Sequence, residues 1–336
     1  MTTDSLKILF HPFAAGELGL PDRNARVLFL GAEPGFRLPE GWGAAIHAVQ
    51  GFRPDFRALE RMGVTVTPRA EGEAYDLSLV LAGRHRGQNE LRVAEAIERT
   101  APGGLIVVAG AKDDGVASLR KRLADLVEIE GAVPKYHGLA FWLRRSPATE
   151  AASVLRRANP PVLVEDRFQT APGMFSHDRI DPGSLLLART LPELSGAVAD
   201  FCAGWGFLAA EIAARFPLVS ALDLYEADFE SLEAGRINLR AAAVRKEFFW
   251  HDLLAEPVDR RYDAVVMNPP FHKGRAADPA IGAGMIRAAA AALKPGGGLF
   301  LVANRHLPYE PILAASFASH RELARDAAFK VLAARR

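Results

Sequence analysis

Two tandem α/β domains, each a mostly parallel sheet with helices on both faces, are predicted from three observations. Short, uninterrupted apolar runs alternate with alanine-rich stretches, three segments recur in the same order in both halves, and 336 residues suffice for two ordinary domains. Strands separated by helical crossovers form a parallel sheet, because each crossover has to pack back onto one face.

The apolar runs lie at 27–30, 77–81 and 105–109, then at 219–224, 264–267 and 299–303. They lack polar alternation, as strands covered on both faces should. Between them, 209–216 and 285–293 are built of good helix formers. The duplication is read from three echoes. Val27-Leu28-Phe29-Leu30-Gly31-Ala32-Glu33-Pro34-Gly35-Phe36 is answered by Val198-Ala199-Asp200-Phe201-Cys202-Ala203-Gly204-Trp205-Gly206-Phe207. Tyr75-Asp76-Leu77 is answered by Tyr262-Asp263-Ala264, and Ala101-Pro102-Gly103-Gly104 by Lys294-Pro295-Gly296-Gly297. Any one is a common turn or strand; three in one order point to two copies of a domain. The boundary is expected between 145 and 161, where Pro147 and Asn159-Pro160-Pro161 interrupt the pattern, giving domains at 1–150 and 160–336.

Composition narrows the function classes. A net charge of +1 gives no global field for nucleic acid, so any such binding must be local. The basic pairs Arg144-Arg145, Arg156-Arg157, Arg245-Lys246 and Arg260-Arg261 read as solvated surface. One cysteine, Cys202, excludes an intramolecular disulfide and fits a reducing compartment. The scattered histidines show no metal-ligand spacing. No apolar run spans a bilayer, and the first residues lack a basic region before an apolar core. The expectation is a cytoplasmic monomer with no metal and no membrane contact.

The second half holds the candidate chemistry. Asp200, at the head of the loop after a strand at 197–199, precedes Cys202, Gly204 and Gly206 and then a helix from Phe207. Glycines there let a backbone approach a ligand closely. A dinucleotide loop would need a third glycine for its pyrophosphate, and this loop lacks it; a carboxylate instead suits a cation. Glu226, ending the next strand, is placed to accept ribose hydroxyls, and is preferred to Asp223 inside that strand. Asp252, ending a third strand from Glu247, is an acceptor for an exocyclic amine by its order in the chain. Asn268-Pro269-Pro270-Phe271 follows the strand at 262–267. Proline removes backbone donors, so this turn presents carbonyl acceptors in a rigid shape beside a carboxamide and a ring. Such a turn suits a planar, poorly nucleophilic amine.

With these residues the second half resembles class I S-adenosylmethionine-dependent methyltransferases. It is most similar to the bacterial guanine-N2 methyltransferases of small-subunit ribosomal RNA, the RsmC-like family, and to their relatives that act on large-subunit RNA. The resemblance runs from Arg167 to the C-terminus. It includes Phe168-Gln169-Thr170-Ala171-Pro172-Gly173-Met174-Phe175-Ser176, Asp181-x-Gly183-Ser184, the glycine loop, Asn268 to His272, and Val302-Ala303-Asn304 leading to Leu307-Pro308-Tyr309. It departs where the family loop runs Asp-x-Gly-Cys-Gly-x-Gly, since Cys202-Ala203 replaces the first Gly-Cys. That substitution suits close approach if φ at Cys202 is negative.

The resemblance implies two Rossmann-like domains, the N-terminal one degenerate, with Leu81-Ala82-Gly83-Arg84 where Asn-Pro-Pro-Phe would stand. It implies S-adenosyl-L-methionine as cofactor, held by Asp200, Cys202, Gly204, Gly206, Glu226, Asp252 and Asn268. It implies ribosomal RNA, free or in the assembled small ribosomal particle, as partner. Asn268 and the Pro269 carbonyl would accept hydrogen bonds from the guanine N2 amine, Pro270 would stiffen the turn, and Phe271 would stack on the base. His272, Gln169, Asn304 and Tyr309 are further candidate substrate contacts. The amine would take the methyl group, leaving N2-methylguanine and S-adenosylhomocysteine. The first copy would dock RNA, with Arg84, Arg86 and Lys112 as candidate phosphate contacts, and would lack counterparts of Asp200, Gly204, Gly206 and Glu226. An adenine-N6 or protein-glutamine methyltransferase and a non-catalytic RNA-binding protein are the competing readings.

Overall fold

The computed structural model describes residues 4–270 and 279–336, with the backbone of 272–273 and 276–277. It divides into two compact units, Met1–Pro161 with Ala171–Gly173, and Val162–Thr170 with Met174–Arg336.

The N-terminal unit runs α1 (Asp4–Ala14), β1 (Val27–Leu30), β2 (Ile46–Val49), α2 (Arg53–Arg61), β3 (Thr65–Thr67) and β4 (Tyr75–Leu81). It continues with α3 (Arg86–Arg99), β5 (Thr100–Ala111), α4 (Val116–Ala124), β6 (Gly131–Lys135), β7 (Gly138–Arg144) and α5 (Ala151–Ala158). The C-terminal unit opens with β8 (Val162–Val164), β9 (Phe168–Thr170), α6 (Pro182–Thr190), β10 (Gly196–Phe201), α7 (Phe207–Arg215) and β11 (Val219–Glu226). Next come α8 (Phe229–Asn238), β12 (Arg245–Trp250), β13 (Tyr262–Met267), β14 (His272–Lys273), β15 (Ala276–Ala277) and α9 (Pro279–Ala292). The last elements are β16 (Leu293–Asn304), α10 (Glu310–Ser316), β17 (Ser319–Arg325) and β18 (Phe329–Arg335).

The two large sheets have one topology. Their orders are β3-β2-β1-β4-β5-β7-β6 and β12-β11-β10-β13-β16-β18-β17. Register agrees residue for residue with the echoes: Val27 pairs with Leu77 and Val198 with Ala264. Even the irregularities match, with a shift between Tyr75 and Leu77 in one sheet and between Tyr262 and Ala264 in the other. The Pro-Gly-Gly segments, expected to be turns before a strand, lie inside longer strands. Gly103 and Gly296 take φ of 79° and 74° there, and their N–H groups donate to the Arg145 and Arg336 carbonyls. Both sheets end in an antiparallel pair that alternation of apolar runs does not reveal.

Each sheet is covered on both faces, and the pleat sends successive side chains to opposite cores. In β13, Ala264 and Val266 join one core, while Val265 and Met267 join the other. In β1, Val27 and Phe29 face a cluster with Phe10, Phe13 and Phe36, whereas Leu28 and Leu30 face α3 and α4 residues. No described helix is long and apolar enough to cross a membrane. Among the described residues, no group of three His, Cys, Asp or Glu is placed to hold a metal ion.

Candidate active site

In the C-terminal unit the strand order reverses between β10 and β13, and the candidate residues gather outside the carboxyl ends of those strands, where open α/β sheets bind ligands. A recess of about 390 Å³, counting its open mouth, is lined by Phe175, Ser176, Asp181, Ser184, Cys202, Ala203, Gly204, Trp205, Phe207, Leu208 and Asn268. None of these is basic.

β10 runs through Phe201, so Asp200 lies inside the sheet and not at the head of the loop. It is fully buried. One carboxylate oxygen accepts from the Ala209 N–H in the first turn of α7 at 3.0 Å, while the other has no partner. Burial pushes this carboxyl well above the usual carboxylate range. Asp200 therefore anchors the helix start behind the loop and does not line the recess. Cys202 takes φ of 60°, so the negative φ under which a cysteine suits close approach is not met, and this loop needs the left-handed turn that glycine gives most readily. Its Sγ lies 3.4 Å from the Met285 sulfur of α9. Burial, with Glu226 and Asp200 nearby, pushes the thiol up, so it is no reactive thiolate.

Gly204 and Gly206 have φ of 54° and 87°. A Cβ on Gly204 would meet nothing within 4 Å, which leaves room beside the loop, whereas one on Gly206 would meet Leu239 at 2.6 Å. Glu226 is half-buried at the end of β11, and its two oxygens accept from the N–H groups of Gly204 (2.7 Å) and Asp228 (2.8 Å). Its carboxyl is pushed up to about 7, chiefly by burial, against the pull of these N–H groups. Asp223, inside β11, accepts from Arg260 and from the Tyr262 hydroxyl at 2.8 Å each through one oxygen, Oδ2.

Asn268 follows β13. Its Nδ2 donates to Asp181 Oδ2 at 3.0 Å and to Ser184 Oγ at 2.9 Å. Pro269 is buried and Pro270 exposed. Phe271 and the His272 side chain lie outside the described residues.

Four other candidates, like Glu226 and Gly206, are not in the lining of the recess. Asp252 follows β12, is buried, and accepts from the Leu254 N–H at 3.0 Å. Gln169 is exposed in β9 with its backbone held by Asn238. Asn304 ends β16, where its carbonyl accepts from Leu307. Tyr309 is 1% exposed and packs so tightly on α9 that a Cβ on Gly282 would come within 1.9 Å of its hydroxyl. Tyr309 is thus packed in the core of this unit. Residue types alone do not single out Trp205. Its Nε1 donates to the Phe175 carbonyl at 2.9 Å and its ring packs on Phe168, tying Phe168 and Phe175 to the glycine loop. A bulky aromatic inside a glycine loop is the available signal.

The chain is similar to known proteins along most of its length. The Methyltransferase small domain family matches residues 165–333. The chain is 31% identical over 304 residues to Ribosomal RNA small subunit methyltransferase C of Pseudomonas aeruginosa (strain UCBPP-PA14), covering 89% of this chain and 90% of that protein. The chain belongs to the ribosomal RNA small subunit methyltransferase C family. A Salmonella newport (strain SL254) member is 33% identical over 254 residues, or 74% of this chain and 72% of that one. A Thermus thermophilus member, a 16S rRNA N2 methyltransferase (RsmC) solved in complex with AdoMet and guanosine, superposes with a TM-score of 0.78. That match covers 99% of this chain and 91% of the other at 26% identity. Both halves are thus typical of the family, the N-terminal copy included.

The recess also suits the family's cofactor class. Among the described residues its lining has the Asp181 carboxylate, an open backbone at Gly204 and no cation, which fits a sulfonium and an amino group and disfavours a pyrophosphate.

Proposed function

We propose that this protein transfers a methyl group from S-adenosylmethionine to the exocyclic N2 amine of a guanine in small-subunit ribosomal RNA. The observation that carries the reading is the placement of Asn268-Pro269-Pro270 beside a recess at the switch point of the sheet whose described lining carries a carboxylate and no cation. The cofactor supplies an electrophilic methyl group on a sulfonium. The protein's residues do the remaining work by position. Glu226 accepts the ribose hydroxyls, and Gly204 and Gly206 let the loop backbone approach. Asn268 Oδ1 and the Pro269 carbonyl accept from the amine, and no proline N–H competes there. Two acceptors draw the nitrogen toward a pyramidal, more nucleophilic geometry. Phe271 stacks on a base that has left its helix, worth about 1–3 kcal/mol by analogy with other stacking platforms. No strong base is needed, because the nitrogen turns acidic once alkylated; catalysis is positioning and electrostatics.

The N-terminal unit, in this reading, binds no cofactor and serves RNA docking. Its Arg84 and Arg86 border a recess that also carries Glu90, Asp113 and Asp114, so its field is mixed. An adenine or glutamine substrate is disfavoured, because relatives of the same name align across both halves.

Mass spectrometry of small-subunit RNA nucleosides tests the proposal. A strain lacking the gene should lose one N2-methylguanosine and regain it with the wild-type gene but not with Asn268→Ala. Calorimetry should find one S-adenosylmethionine site per chain. Unchanged methylguanosine would refute the substrate, and two sites per chain would refute the division of labour.

A further inference from the structure

We infer that Asp181 and Ser184 are positioning residues that fix which end of the Asn268 carboxamide faces the target amine. This rests on the reading of Asn268 as an acceptor for that amine. A carboxamide is nearly symmetric in shape, so a half-turn exchanges a donor end for an acceptor end at little steric cost. Only one orientation can catalyse: with the NH₂ group turned to the recess, two donors would face the substrate amine and nothing would draw on its hydrogens.

The geometry removes that choice. Asp181 Oδ2 lies 3.0 Å from Asn268 Nδ2, and a carboxylate accepts only, so it meets the NH₂ end. Ser184 Oγ, at 2.9 Å, takes the second hydrogen. Both Nδ2 donors are then used, and Oδ1 is left as the end free to accept. A flipped amide would instead set Oδ1 against the carboxylate.

Both partners stand on a rigid base. Asp181 is the N-cap of α6, and the same Oδ2 accepts from the Ser184 N–H at 2.8 Å. Ser184 itself is 8% exposed. At Gly183 a Cβ would come within 3.1 Å of Asp181 Oδ2 and 3.0 Å of the Phe329 ring, so a side chain there would displace the acceptor. The Asp181-x-Gly183-Ser184 step is thereby explained as a cradle for one amide, built from residues 84–87 positions earlier in the chain.

Removing the acceptor while keeping the cap tests this. Serine caps a helix as well as aspartate, so Asp181→Ser keeps α6 while its shorter side chain withdraws the acceptor from Asn268 Nδ2. Methyl transfer would be followed on small ribosomal subunits from a strain lacking the gene, with S-adenosylmethionine affinity by calorimetry and folding by thermal melting. At saturating S-adenosylmethionine, Asp181→Ser should lower kcat about 10- to 100-fold, with KM for the subunits little changed, as for a misplaced reacting group. Ser184→Ala, which leaves Asp181 in place, should lower it less. Asn268→Asp sets two carboxylates together and should be worse than the double variant Asp181→Ser/Asn268→Asp, in which the opposing carboxylate is gone. Wild-type kcat in well-folded Asp181→Ser, or a double variant no better than Asn268→Asp, overturns the inference. A fully active Asn268→Ala would instead overturn the acceptor role itself, so the two failures are distinguishable.

Discussion

The loop after β1 and the loop after β10 share one backbone and carry different side chains. Gly31 and Cys202 take φ of 68° and 60°; four residues on, Gly35 and Gly206 take 88° and 87°. Gly206 thus has a counterpart in the first copy, contrary to the expectation from sequence, and so does Glu226. Gln50 stands at the matching end of β2 and accepts from the N–H two residues on, as Glu226 does. The difference lies at the other end of the side chain. Gln50 Nε2 donates to the Ala32 carbonyl at 2.6 Å, while Glu226 accepts from the Gly204 N–H and keeps acceptor capacity. Phe29 replaces Asp200, Glu33 replaces Gly204, and Leu81 replaces Asn268. Arg92 of α3 fills the first loop, its Nη1 bonded to the Leu81 carbonyl at 2.9 Å, where Met285 of α9 approaches Cys202 in the second. A duplicated backbone persists because its φ angles and strand register are set by packing; ligand binding depends on a few side chains that packing leaves free to change.

The largest effect that separates the copies is expected at the ends of β4 and β13. Asn268→Ala should lower turnover by about 10²–10³, the usual loss for one preorganised hydrogen-bonding group, with cofactor affinity nearly unchanged. Leu81→Ala, at the matching position, should leave turnover per folded molecule as it was. Equal turnover losses in the two variants would break the division between a chemical copy and a packing copy.

Next in size is Gly31→Cys, which gives the first loop the residue of the second. A Cβ there meets Arg92 Nη1 at 2.7 Å and the Leu81 carbonyl oxygen at 3.0 Å in a left-handed backbone. The cost should be about 1–3 kcal/mol, read by denaturant unfolding. Adding Arg92→Met recreates the Cys202–Met285 pair and should recover part of it. No recovery would mean that the left-handed φ, and not the arginine, accounts for the loss.

A smaller and more diagnostic effect concerns pH. The Glu226 carboxyl is pushed up to about 7 because burial disfavours its charge, and in the proposed site it is the charged form that would accept the ribose hydroxyls. Cofactor affinity should therefore rise about tenfold from about pH 6 to about pH 8 and then level off. Stability of the ligand-free protein runs the other way. An acid whose pKa is raised on folding contributes most below its unfolded value of 4.5, and that contribution is lost as pH rises through about 7. Glu226→Gln, the residue type at Gln50, should bind weakly with a flat pH profile. A persisting rise in that variant would assign the titration to another group.

Much of this is legible in the sequence because buried parallel strands write themselves as apolar runs, and a duplicated domain writes them twice. The six runs, the glycine loop and the Asn268 turn are visible that way. What escapes depends on neighbours that no local pattern encodes. Asp200 reads as a loop residue because a carboxylate looks foreign to a strand, yet the sheet runs past it to Phe201. Tyr309 reads as a substrate contact from its motif, and only the close approach of Gly282 shows it as core. The edge strands β6 and β17 are largely exposed, so no continuous apolar run marks them. Trp205 and Asp181 act on residues 30 and 87 positions away, separations that sequence spacing does not record.

The smallest expected effect is at Cys202, where the second copy has a β-carbon and the first has none. A non-glycine residue in the left-handed region costs about 1–2 kcal/mol, and glycine in the same place gives back part of that through the freedom it adds to the unfolded chain. Cys202→Gly also loses the sulfur contact with Met285. The balance should leave the variant more stable by about 0.5 kcal/mol, a rise of about 1–2 °C in melting temperature for a domain of this size. Cys202→Ala is the control: it keeps the strained β-carbon and loses the same sulfur, so it should melt below the wild type. The order Gly above Cys above Ala locates the strain in the backbone of the loop. If Gly melts lowest of the three, the Cys202–Met285 contact outweighs the strain, and the loss of glycine at this loop position was stabilising for the copy that carries the chemistry.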